Sequence, residues 1–409
     1  MNEEKGLGFV KQNKDLMREY NRMLVLNLIR KAEVISRTEI AKRTTLGIST
    51  VTYIIEELLS QNWVYQKGVQ SSTGGRPAIN VVFNNQKGIT AAVKIEEERI
   101  IVVLTDLSAN IVASIKEYFE IHTSPEIVID IVAKAIKKLL TENNFPDETL
   151  FGIGLISSGI VNRQQGIILK STLLNWTNVN IANSLSKIFH GIPVYVDKNI
   201  NALTLAELEF GEGRYVDNFA CISVGAGLGL SLVINREIYY GAIGGAGEYG
   251  HTTIQVHGYE CHCGQHGCLE MYASEFYFKN RGKELLKDYP DTKISEFSFD
   301  EVAKCANLED ELATRLIKEM SDYLAYGIRS AINTLNPEKI LLVGEGMEYY
   351  DLLLPALKER CGKNFFTTVD YPTEILKSEL DNNAWLTGAA LLVINNLFQM
   401  DSLESRGKE

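Results

Sequence analysis

The sequence predicts a winged helix-turn-helix over residues 1–87 in front of an α/β body over residues 88–409. Three observations predict it. Two apolar stripes at helical spacing, separated by a short capped helix and a tight turn, open the chain. Strand-like and helix-like runs then alternate to its end, the signature of an α/β architecture. The charge divides at the same place: residues 1–87 hold 13 Lys and Arg against 8 Asp and Glu, although the whole chain carries −11. A basic head on an acidic body suits a phosphate-binding module joined to a separate sensing domain.

In the head, Met23, Leu24 and Leu28 share one face of the stretch 16–31. Ser36-Arg37-Thr38-Glu39 is a capping-type start for a short helix over 36–44. Thr45-Leu46-Gly47 makes the turn, with Gly47 expected to take the conformation that costs other residues more. Val51, Ile54, Ile55, Leu58 and Leu59 then form one continuous stripe. With that stripe packed inward, Ser49, Thr50, Thr52 and Tyr53 face out near the start of the second helix, where recognition helices reach base edges. Their hydroxyls can bond those edges and meet a thymine methyl.

Residues 63–67 and 78–83 read as the two strands of a wing, joined by a loop containing Gly74-Gly75-Arg76-Pro77. Such a loop can follow a phosphate backbone or enter a narrow minor groove. The residues expected on double-stranded DNA are therefore Arg37, Ser49, Thr50, Thr52, Tyr53, Lys67, Gly74, Gly75 and Arg76.

In the body, residues 100–104, 151–156, 194–196, 219–224, 230–234 and 340–343 read as strands, and 127–140 and 309–333 as helices. Gly225-Ala226-Gly227-Leu228-Gly229 is not a dinucleotide fingerprint, because a strand follows it and no helix N-terminus is there for a pyrophosphate. No uncharged apolar run is long enough to cross a bilayer. The polar, acidic start Met1-Asn2-Glu3-Glu4 is unlike a secretory signal. A cytoplasmic protein without a membrane partner is expected.

Three of the six cysteines, Cys261, Cys263 and Cys268, fall within eight positions, which in a cytoplasmic chain points to metal. With His251 they make a closed Cys3His set, suited to one structural zinc ion per chain. His257, His262 and His266 compete for the histidine place. Cys221, Cys305 and Cys361 are expected as buried thiols. Glu248 and Glu270 flank the cluster, and carboxylates accept hydrogen bonds in pairs, as vicinal sugar hydroxyls require.

These residues resemble the ROK family of repressors and sugar kinases over nearly the whole chain. The most specific matches are Glu248-x-Gly250-His251 and Cys261-x-Cys263-Gly264-x-x-Gly267-Cys268-x-Glu270, with Asn336-Pro337-Glu338-Lys339 and Val343-Gly344-x-Gly346 further on. The head, with Thr73-Gly74-Gly75-Arg76-Pro77, is similar to that of the family's xylose-type and N-acetylglucosamine-type repressors. The resemblance implies a two-lobed, actin-like (ribonuclease-H-like) sugar-kinase fold. It places lobe 1 at 88–198 and lobe 2 with its zinc loop at 199–409, and returns the C-terminal helix to lobe 1. It also implies sugar contacts from Glu248, His251 and Glu270. Asn175 stands in for an asparagine that falls on Leu173, and Asn199 falls on the family's catalytic Asp.

The departures bear on activity. The family's kinases have Asp-x-Gly-Gly-Thr where this chain has Lys94-Ile95-Glu96-Glu97-Glu98. Carboxylates there would repel ATP phosphates by about 4 kcal/mol per close pair. Asn199 cannot take a hydroxyl proton, and Ala226 stands where the second phosphate loop commonly has Thr. The expectation is a sugar-responsive repressor of carbohydrate genes, for xylose or a related sugar, without kinase activity. It would act as a homodimer or homotetramer on an inverted repeat. The alternatives are a sugar kinase that also binds DNA and a regulator that senses zinc.

Overall fold

A computed structural model describes residues 14–69, 79–366 and 372–399. The first stripe folds as α1 (Lys14–Lys31). Ser36 caps α2 (Arg37–Thr44), its hydroxyl accepting from the Glu39 amide at 3.2 Å. The turn into α3 (Ile48–Ser60) corrects one expectation: Thr45 has the left-handed backbone (φ 57°), while Gly47 has φ −61°. The helix C-cap position needs the positive φ, and that position is Thr45; Gly47 is already the extended N-cap of α3. Behind the helices, β1 (Ile35–Ser36), β3 (Ile79–Phe83) and β2 (Val64–Val69) pair antiparallel in that order.

The body contains the same sheet twice. In lobe 1, β4 (Ile89–Ile95), β5 (Arg99–Thr105) and β6 (Ile111–Tyr118) form an antiparallel meander. Helix α4 (Pro125–Glu142) then carries the chain to β7 (Leu150–Ser157), parallel to β4. A small antiparallel sheet of β8 (Ile160–Asn162), β9 (Ile167–Ser171) and β10 (Trp176–Val179) and helix α5 (Ile181–Ile188) lead to β11 (Val194–Lys198), parallel to β7. Helix α6 (Asn199–Phe210) crosses to lobe 2.

There β12 (Phe219–Val224), β13 (Leu228–Ile234) and β14 (Glu237–Ile238) make the second meander. An irregular segment with the short turns α7 (Glu275–Tyr277) and α8 (Lys283–Leu285) follows, then α9 (Phe299–Asn307) and the long α10 (Glu311–Leu335). β15 (Lys339–Val343) adds parallel to β12, and after α11 (Tyr350–Cys361), β16 (Glu374–Lys377) adds parallel to β15. The orders β6-β5-β4-β7-β11 and β14-β13-β12-β15-β16 are topologically identical. Hairpin turns suffice for the antiparallel steps, and each parallel step needs a longer crossover.

The last helix, α12 (Ala384–Leu397), packs on β4, β7 and α6. Its Gly388 lies so close to α6 that a Cβ there would stand 1.8 Å from the Ala202 carbonyl oxygen. Phe398, just past the helix, enters the core of the head, with ring centroids 5.8 Å from Trp63 and 5.7 Å from Phe83. Asn27 Nδ2 donates to the Phe398 carbonyl at 2.8 Å, and the Arg30 guanidinium lies 5.2 Å from the Phe398 ring centre and 4.0 Å from Glu209. Head and body thus share one hydrophobic cluster. Among the described residues no helix is long and apolar enough to cross a membrane.

Candidate functional site

The segment between β14 and α9 has little regular structure and is held by backbone bonds, Ile254 N to Gly267 O, Leu269 N to Thr252 O and Cys261 N to Gln265 O, each 2.8 Å. Gly267 (φ 75°) packs so tightly that a Cβ would lie 1.7 Å from the Gln255 carbonyl oxygen, so only glycine fits. This folding brings His251 to Cys261, Cys263 and Cys268, with their ligand atoms all within 4.8 Å of one another. Cys263 and Cys268 sulfurs are 3.7 Å apart, and Cys261 Sγ is 3.5 Å from His251 Nδ1. A tetrahedron with Zn–S bonds of about 2.3 Å and Zn–N bonds of about 2.0–2.1 Å has edges of about 3.8 and 3.5 Å. The four residues therefore fit a zinc ion. Burial pushes the Cys261 and Cys268 thiols above their ordinary range, a cost that a bound cation would offset.

A second grouping, His251, Cys261, His262 and Glu270, is also compact. In it, His262 Nε2 stands 2.7 Å from Glu270 Oε2, a hydrogen-bond distance and too short for two ligands of one ion. The Cys3His set fits better. Of the other competing histidines, His257 is exposed, and His266 Nδ1 lies 3.3 Å from the Gly258 carbonyl.

Around this centre the lobes meet through polar side chains. His251 Nε2 is 3.9 Å from Glu248, and His251 Nδ1 is 4.0 Å from Glu270. Glu270 Oε1 accepts from the Leu228 amide at 3.1 Å, leaving Oε2 for His262. That contact raises the pKa of His262. From lobe 1, the Thr172 hydroxyl reaches His262 Nδ1 at 3.0 Å. Lys198, the last residue of β11, is buried and donates to Glu248 at 2.9 Å and to the Ala246 carbonyl at 2.7 Å. Its neighbour Asp197 pairs with Arg163 at 2.8 Å, and the Arg163 guanidinium lies 3.7 Å from the Tyr240 ring centre. Burial holds Asp197 above the usual carboxylate range despite Arg163.

Glu248, His251 and Glu270 are thus brought together. Asn199, the first residue of α6, places a buried Oδ1 that has no hydrogen-bond partner among the described residues. Asn175 is exposed in a left-handed turn before β10, and among the described residues no hydrogen bond joins it to the cluster. Sequence reasoning missed Lys198, Arg163, Thr172 and His262 as cleft residues. The sequence marked His262 only as a competing metal ligand.

The two glycine- or carboxylate-bearing turns have internal partners. In the β4–β5 turn, Glu96 is held by Lys94 at 2.7 Å and by Arg99, while Glu97 and Glu98 are exposed. In the β12–β13 turn, the Ala226 amide donates to Glu345 at 2.8 Å. A carboxylate from the β15 side therefore occupies this backbone donor.

On α3, Ser49 and Thr50 are exposed. Thr52 is half-buried, and Tyr53 is 55% exposed with its hydroxyl accepting from Arg18 at 2.9 Å. Three of the four thus face out as expected, and Thr52 departs from the expectation by being half-buried. Arg37 is half-buried and pairs with Glu56 at 3.6 Å. Lys67 is exposed on β2. Gly74, Gly75 and Arg76 lie outside the described residues. Cys221, Cys305 and Cys361 are buried free thiols.

The model of the ROK family matches residues 90–396. The chain belongs to the ROK family. Among ROK relatives, the xylose repressor of Bacillus subtilis is 30% identical over 384 residues, covering 94% of this chain and 97% of that one. The N-acetylglucosamine repressor of Escherichia coli O6:H1 is 28% identical over 399 residues, covering 96% and 98%. Among solved structures, a ROK family transcriptional regulator, a homolog of the E. coli MLC protein, superposes with a TM-score of 0.80 at 27% identity, covering 95% of this chain and all of that one. A ROK glucokinase from Streptomyces griseus in complex with glucose and AMPPNP superposes at 0.65 and 21% identity over 75% of this chain and 99% of that one. The two-lobed actin-like fold is common to both.

Proposed function

We propose that this chain is a sugar-responsive transcriptional repressor whose head is a winged helix-turn-helix and whose body binds a sugar without phosphorylating it. One observation carries the reading. The repressor relatives match head and body together, at 94% of this chain and 97% of the xylose repressor, whereas the glucokinase matches only 75%, about the share of the family segment 90–396. The head is what the kinase lacks.

In this reading α3 enters the major groove with Ser49 and Thr50 leading, Lys67 meets phosphate, and Gly74, Gly75 and Arg76 complete the contact. The sugar is held by Glu248, His251, Glu270 and Asn199, whose orphaned Oδ1 gains a partner from a hydroxyl. His251, Cys261, Cys263 and Cys268 hold one zinc ion per chain, which supplies rigidity to the loop bearing the sugar carboxylates. Glu96 and Glu345 on the two phosphate-side turns, and Asn199 in place of a base, disfavour the bifunctional kinase reading. The protein acts as a dimer or tetramer, since two heads match an inverted repeat.

The test is selection of duplexes from random sequence by the purified protein, followed by titration with and without D-xylose, D-glucose and N-acetylglucosamine. The expected site is an inverted repeat, and one sugar shifts its affinity by about 5–150-fold with no ATP consumed. A Thr50→Ala variant should lose about 0.5–1.5 kcal/mol of preference for that site. Failure to select any sequence, or ATP turnover with a sugar, overturns the reading.

A further inference from the structure

Glu270 is held on both oxygens, Oε1 accepting from the Leu228 amide at 3.1 Å. His262 Nε2 lies 2.7 Å from Oε2, and Nδ1 of the same imidazole lies 3.0 Å from the Thr172 hydroxyl of the opposite lobe. The imidazole thus stands within hydrogen-bond distance of the Glu270 carboxylate on one nitrogen and of the Thr172 hydroxyl on the other. His262 is therefore a bridge from lobe 1 to the buried Glu270 of lobe 2. Phe276, 5.6 Å from the His262 ring, and His251, at 5.2 Å, flank the imidazole, while its solvent-facing edge stays open.

We propose that His262 gates effector binding: a sugar hydroxyl takes the imidazole's place on Glu270 Oε2, and its departure removes the Thr172–His262 tie between the lobes. A hydroxyl is a suitable replacement, being a donor that presents to Glu270 Oε2 what Nε2–H presents now. The gate makes recognition an exchange, in which a ligand without a hydroxyl aimed at Glu270 cannot repay the broken bridge. His262 is thus a specificity-determining, positioning residue that acts through Glu270. This inference rests on the sugar-binding reading above and extends it to a residue outside the metal ligands.

The experiment uses the full-length, zinc-loaded protein and the variants Thr172→Val, His262→Ala and both together. Calorimetric titration with D-xylose, D-glucose and N-acetylglucosamine should give about 3–10-fold tighter binding for each single variant with whichever sugar the wild type binds. The double variant should be no tighter than His262→Ala, because both changes remove one bridge. Retention of one zinc per chain shows that the loop is intact. Amide hydrogen exchange supplies a sugar-independent readout: His262→Ala should speed exchange over residues 170–176, in the opposite lobe. Weaker sugar binding by His262→Ala would make the imidazole a sugar contact and overturn the gate. Unchanged exchange over 170–176 would overturn the bridge. If the wild type binds none of the three sugars, the sugar reading fails, while the exchange data still decide whether His262 ties the lobes.

Discussion

Cys263 is the least buried of the three clustered thiols, yet its sulfur sits 3.7 Å from Cys268 and completes the tetrahedral set. Replacing it by alanine should abolish stoichiometric zinc, read by metal analysis, and lower the melting temperature, since a structural metal contributes folding free energy. Full zinc retention would show that another residue serves. At this scale the sequence was informative where chemistry demands a residue type at a spacing. Cys-x-Cys-x4-Cys and the flanking Glu248 and Glu270 were legible from it. Lys198 and His262 were not, because the first is defined by a partner 50 residues away and the second by partners on two lobes.

The elements followed their patterns closely. The stripe Val51, Ile54, Ile55 and Leu58 is buried as one face of α3, and Gly225-Ala226-Gly227 is the turn between β12 and β13. What periodicity did not reveal is which helices touch. Gly388 of α12 lies against the Ala202 carbonyl of α6, a fit that no spacing rule encodes. Gly388→Ala forces the two helices apart and should destabilise the protein by about 1–3 kcal/mol, seen as a lower melting temperature. An unchanged melting temperature would mean that α6 and α12 are free to part. The contact matters for function in this reading, because α6 begins at Asn199 in the cleft and ends beside Glu209, which faces Arg30 of the head.

For the molecule as a whole, the boundary expected at residue 87 separates two modules that share a core. Phe398 is 4% exposed and edge-on to Trp63 and Phe83, so the far end of the chain seals the DNA-binding head in the proposed reading. Truncating a buried phenylalanine to alanine costs about 3–5 kcal/mol. Phe398→Ala should therefore loosen the head, giving faster amide exchange in α1 and β3 and weaker binding to the selected duplex, while sugar titration of the body changes little. Unaltered exchange in the head would show that it folds without the Phe398 ring.

By itself the sequence determined the local and the chemical: which segments are helix or strand, where the thiols and carboxylates cluster, and that the head is basic while the body is acidic. These follow from side-chain periodicity, ligand spacing and charge, all properties of residues near one another in the chain. Tertiary structure alone decided that Glu345 takes the Ala226 amide, that Lys198 and His262 hold the two cleft carboxylates, and that Phe398 closes the head. Each of these pairs groups many residues apart, and their meeting depends on the register of two sheets and the packing of α6 against α12, for which no local pattern carries a signal.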